Sequence, residues 1–165
     1  MDKGATLIIL GIVVIIVLPF IFHSLYKKLK DMKFLKYFTS LAEKEKIVIS
    51  QKELWNKYYI IGIDNNSKKI LYTNKRREKA EEILIDLAEV ENCRIASVNK
   101  TLKGQSGNSS KSDRLELVFT FSKSGMPEQS LEFYDSTEFM PTDKENSIIE
   151  NWMNIINSNL ISSRK

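Results

Sequence analysis

Arg114 to Asp135, RLELVFTFSKSGMPEQSLEFYD, is the stretch on which the fold turns. Leu115, Leu117, Phe119 and Phe121 alternate with Glu116 and Thr120, the period of two that marks a strand with one apolar face. Ser124-Gly125-Met126-Pro127 interrupts the pattern with turn-forming residues. Leu131 and Phe133 then alternate with Ser130, Glu132 and Tyr134. Two strands joined by so short a connection pair antiparallel.

Working back toward the N-terminus, the period of two recurs. Asn92 to Lys100 sets Cys93, Ile95 and Ser97 against Arg94, Ala96 and Val98, and the Gly- and Ser-rich loop Thr101 to Asp113 follows it. Ile83, Ile85 and Leu87 beside Leu84, Asp86 and Ala88 fit a strand, and a short helix fits residues 83–90 nearly as well. Lys69 to Asn74 pairs with the strand that contains Tyr59, Ile61 and Ile63 across the Asp64-Asn65-Asn66-Ser67 turn, where Asp and Asn tolerate left-handed backbone. Ile47 to Ser50 is read as the first short strand.

After the hairpin the period changes to 3.6. Pro141 precedes Thr142 and Glu145, which have the spacing of a capping box, and Ile148, Ile149, Trp152, Ile155, Ile156 and Leu160 form one apolar stripe. A helix with such a stripe must cover a sheet. The expected class is therefore α+β: six or seven antiparallel strands, as a sheet or partly open barrel, closed by a C-terminal amphipathic helix.

The N-terminus follows a different rule. Gly4 to Phe22, GATLIILGIVVIIVLPFIF, is nineteen residues without a charge, fourteen of them Leu, Ile, Val or Phe. At about 1.5 Å per residue a helix of this length nearly crosses the roughly 30 Å hydrocarbon layer. Only Lys3 precedes the run, and Phe20 to Phe22 ends it with bulky residues, which favours an uncleaved transmembrane anchor over a secretory signal. Lys27, Lys28, Lys30, Lys33 and Lys36 crowd its far flank, so the N-terminus is expected outside and the remainder cytoplasmic. The expected organisation is a transmembrane anchor over 1–23, a basic juxtamembrane helix over 24–46, a cytoplasmic domain over 47–161 and a tail over 162–165.

Charge placement narrows the function classes. Lys27 to Lys46 holds seven lysines against Asp31, Glu43 and Glu45, a surplus of +4 that equals the net charge of the chain. Residues 47–165 carry seventeen basic and seventeen acidic residues. A domain so balanced is not expected to bind nucleic acid, whose affinity comes largely from neutralised phosphates. Cys93 and His23 are the single cysteine and histidine, so an internal disulfide and the usual zinc ligand sets are excluded. There is no glycine-rich phosphate loop and no nucleophile, histidine and acid set within the domain. No enzymatic activity, catalytic residue, cofactor or metal is expected.

The strand order, with Trp152 in the middle of the last helix, resembles the pleckstrin-homology superfold, in its bacterial form, over Ile47 to Leu160. That resemblance implies a strongly bent antiparallel sheet of seven strands with one end capped by the helix and Trp152 packed into the core. The family is best known for binding phosphoinositides through basic residues around the first hairpin. In this chain the corresponding turn holds Lys68 and Lys69, with Lys75, Arg76 and Arg77 beyond the next strand, and Asp64, Glu78, Glu81 and Glu82 dilute them. Bacterial members are often joined to membrane spans and do not depend on phosphoinositides, and this chain is closer to those.

The expected function is thus a non-catalytic, single-pass membrane protein whose cytoplasmic domain binds or scaffolds a protein partner. The alternative is a sensor of anionic lipid, using Lys27, Lys28, Lys30, Lys33 and Lys36 with the basic loop Lys75, Arg76 and Arg77. A solvated charged loop is the plain reading of those last three. Trp152, Thr142 and Glu145 are the residues expected to hold the structure.

Overall fold

The computed structural model describes residues 16–19, 29–76, 78–98, 114–136 and 143–163. The chain forms two compact units, Met1–Glu45 and Lys46–Lys165. In the first, residues 29–44 form a helix, α1, in which Phe34, Phe38, Leu41 and Ala42 are buried while Leu29 and Met32 are exposed. Of the apolar run Gly4 to Phe22 the described part is 16–19, which is helical. Among the described residues no helix is long and apolar enough to cross a membrane. The rest of the expected span lies outside the described residues.

The second unit is α+β. Strands β1 (Gln51–Trp55), β2 (Tyr59–Asp64), β3 (Lys69–Asn74) and β4 (Glu81–Asp86) form one antiparallel sheet in sequential order. Strands β5 (Val90–Val98), β6 (Arg114–Phe121) and β7 (Gln129–Asp135) form a second, and the helix α2 (Asp143–Ser163) follows. The strands therefore divide four and three between two sheets instead of forming a single one.

The first strand differs from expectation. Residues 47–49 join no sheet, and β1 begins at Gln51. The Val48 amide is taken by Asp64 Oδ2 at 2.9 Å, which removes it from strand pairing. Asn56 and Lys57, at φ of 48° and 63°, turn the chain so that Trp55 pairs with Tyr59. This first hairpin lacks a glycine signal, because Asn56 tolerates the left-handed region and Lys57 is carried along by the pairing on either side. The turn with Lys68 and Lys69 consequently belongs to the second hairpin, β2 to β3.

Residues 83–90 resolve as strand and turn. Ile70 pairs with Ile85 and Tyr72 with Ile83, so Ile83, Ile85 and Leu87 all reach the core, while Leu84 stays partly exposed. In the second sheet the register shifts once along β7: Leu115 pairs with Tyr134, but Glu116 pairs with Glu132, passing over Phe133. Such a bulge lets neighbouring residues share one face. Phe133 and Tyr134 both join the core in this way, although simple alternation places Tyr134 opposite Phe133.

The core lies among the two sheets and α2. From the helix, Ile148, Ile149, Trp152, Ile156 and Leu160 enter it, and Trp152 is wholly buried. The helix packs chiefly on β5. Its tie to β1 is polar: Trp152 Nε1 donates to Glu53 Oε2 at 2.8 Å.

Candidate functional site

The densest polar cluster among the described residues joins the two sheets around Glu132. This side chain is 5% exposed although it carries a charge. Charges are seldom buried this deeply without partners, because desolvation costs several kcal/mol on the order-of-magnitude scale. Glu132 has partners on both oxygens. Oε1 accepts from the Tyr59 hydroxyl at 2.9 Å and from Asn74 Nδ2 at 3.4 Å, and it lies 3.2 Å from Arg76 Nη1. Oε2 lies 3.1 Å from Arg114 Nη2.

Arg76 is the second centre. Its Nη2 donates to Asp135 Oδ2 at 2.8 Å and its Nη1 to the Tyr59 hydroxyl at 3.4 Å. Its own amide donates to Asn74 Oδ1 at 2.9 Å, which fixes how the chain leaves β3. Arg114 Nε lies 2.7 Å from Glu116 Oε1, an ion-pair contact in which the N–H points off the hydrogen-bond direction. Burial opposes the charge on Arg76, but the bond to Asp135 and the nearby negative charges outweigh it and push the guanidinium pKa up. Burial first, then the charge of Glu132, pushes the Tyr59 hydroxyl up, so it remains a donor.

The backbone of β7 is held from the same side. Tyr72 Oη donates to the Glu132 carbonyl at 2.5 Å, and Trp55 Nε1 donates to the Phe133 carbonyl at 2.9 Å. Trp55 also stacks on Phe133 and Tyr59, with ring centroids 4.6 and 5.4 Å apart. Side chains of the first sheet thus take the place of a strand partner for β7. The arrangement clamps one sheet to the other.

The residues singled out in the sequence are scattered. Lys30, Lys33 and Lys36 are exposed on α1, and Lys75 is exposed after β3. Arg76 turns inward, its side chain 9% exposed. Lys27, Lys28, Arg77 and Thr142 lie outside the described residues. Glu145 is buried in the first turns of α2, where it accepts from Asn56 Nδ2 at 3.1 Å and so ties the helix to the first hairpin. Trp152 sits in the core.

Tyr59, Asn74, Arg114, Glu132 and Asp135 were not legible as a group. One signal was present: the hairpin opens on Arg114 and closes on Asp135, which pair in register. Among the described residues there is no group of three His, Cys, Asp or Glu side chains able to hold a metal ion. In comparisons with known protein families, curated proteins and solved structures, nothing matches this chain.

Proposed function

We propose that this chain is a membrane-anchored, non-catalytic binding module. In this reading Gly4 to Phe22 is a single span with its N-terminus outside, and the second unit is a pleckstrin-homology-like domain that binds or scaffolds a protein at the cytoplasmic face. The observation that carries it is the use of the domain's charged groups: Arg76 is committed to joining the sheets through Glu132 and Asp135, and Arg114 holds Glu132 from within the second sheet. What remains is a charge-balanced surface on a rigid frame, which suits recognition more than chemistry. Four antiparallel strands, three more, and a helix with buried Trp152 support the fold likeness. The same balance speaks against a nucleic-acid ligand.

The inward turn of Arg76 also weakens a basic-loop reading of anionic lipid, because its guanidinium already has two carboxylate partners. The test uses the full chain in native membranes. Resistance to alkaline carbonate extraction and protection of the C-terminus from external protease are expected. Site-specific crosslinkers on the exposed face of β4 should give one saturable protein adduct. Carbonate extraction of the chain, or an externally cleaved C-terminus, removes the anchor as described. Only non-saturable, protein-wide adducts remove the binding role.

A further inference from the structure

The burial pattern of α1 separates its apolar residues into two classes. With Leu29 set at zero and about 100° per residue, Phe34, Phe38, Leu41 and Ala42 fall between roughly 120° and 220°. All four are buried. Met32, Lys36, Leu29, Lys33 and Lys30 occupy the other side, from roughly 300° round to about 100°. Leu29 and Met32 are 57% and 45% exposed, and the three lysines are exposed. Asp31 falls at roughly 200°, on the buried side, and the exposed Glu43 falls at roughly 320°, about three turns beyond Met32 and away from the N-terminal turns that hold the lysines. The lysines look scattered when the whole circumference is counted. Once the buried arc is known, they and two exposed apolar side chains share one face.

We propose that this face of α1, Leu29 and Met32 flanked by Lys30, Lys33 and Lys36, lies on the anionic lipid surface beside the membrane span. The inference rests on the anchored reading above. Its occupant is set by chain length and charge. Leu29 lies seven positions beyond Phe22, the end of the apolar run. Even fully extended that spacing reaches about 25 Å, so the first turn of α1 stays within roughly two to three Debye lengths of the membrane and every shorter path brings it to the headgroups. Anionic headgroups attract each lysine within a Debye length. Exposed Leu and Met between lysines can enter the headgroup boundary while the lysine stems lie along it with their ammonium groups in water.

The test places the full chain in vesicles of phosphatidylcholine, alone or mixed with phosphatidylserine, that contain a lipid-borne quencher. A fluorophore is carried at Met32→Cys, at Leu29→Cys, or on the opposite side at Asp31→Cys; Cys93 is buried and stays unlabelled. Quenching at Met32→Cys and Leu29→Cys is expected to exceed that at Asp31→Cys by roughly threefold with phosphatidylserine present, and to drop when Lys30, Lys33 and Lys36 are all changed to Gln or salt is raised. Equal quenching on both sides, or quenching indifferent to lipid charge, overturns the proposal. So does self-quenching that grows with protein density, which assigns the face to a second copy. Carbonate extraction of the same vesicles separates the two levels: a chain that stays inserted without this contact sinks the α1 inference alone, and a chain that is extracted sinks the anchor with it.

Discussion

The Tyr59 hydroxyl donates a 2.9 Å hydrogen bond to Glu132 Oε1, joining residues 73 positions apart in the chain and on different sheets. Glu132→Ala removes a buried charge's partner from Tyr59, Asn74, Arg76 and Arg114 together. The expected loss is about 3 kcal/mol, the low end for breaking a buried pair, since Arg114 is half exposed. Tyr59→Phe removes one donor and should cost about 1 kcal/mol. Urea unfolding of both variants checks the order, and a Glu132→Ala protein as stable as the parent contradicts the clamp.

Trp152 combines wholly buried rings with one polar tie to Glu53. Trp152→Ala should destabilise by about 4 kcal/mol through the cavity it leaves. Trp152→Phe keeps much of the packing and strands Glu53, for a smaller loss of about 1–2 kcal/mol. Thermal unfolding that ranks Phe below Ala would assign the stabilisation to the hydrogen bond instead of the ring.

Asp64 gives the domain an acid-sensitive joint. Its carboxylate accepts the amides of Val48, Asn66 and Ser67 at 2.9, 2.9 and 3.2 Å. The Val48 bond first, with the turn amides adding to it and burial opposing, holds its pKa down at about 2, against 3.8 ordinarily. A carboxylate lowered on folding contributes stability that is complete above its unfolded value and is lost as pH falls through the folded one. Stability should therefore decline between about pH 4 and pH 2. Asp64→Asn should flatten that part of the profile, measured by urea midpoints across the acid range, and an unchanged slope counts against this origin.

Cys93 is buried under α2, where desolvation pushes its thiol up to about 12. Its backbone carbonyl accepts from Asn157 Nδ2 at 3.4 Å, so the helix also shields the strand edge there. The thiol should not react with a disulfide reagent at pH 8 while folded and should react fully in denaturant. Rapid labelling of the native chain would show that α2 lifts off β5.

Local pattern carried far in this chain. Alternation at Arg114 to Asp135 and the stripe from Ile148 to Leu160 announce a hairpin and a covering helix, because periods of two and 3.6 are properties of neighbouring residues. Lys69 to Asn74 is legible to the residue, since the Asp64 to Ser67 turn precedes it and the charged run from Lys75 follows it. The β1–β2 hairpin was not, for its turn at Asn56 and Lys57 lacks glycine and depends on pairing on both sides.

The sequence by itself determined the α+β class, the antiparallel pairing of adjacent strands and the apolar run at the N-terminus. Tertiary structure alone decided the four-and-three division of the strands and the bulge that passes over Phe133. It also decided that Glu132, written as an outward strand residue, is buried, and that Arg76 faces Glu132 and Asp135 instead of solvent. The reason is range: a helical or pleated face follows from residues a few positions apart, whereas Arg76 meets carboxylates on a strand 59 positions further along only after both sheets have closed on the core.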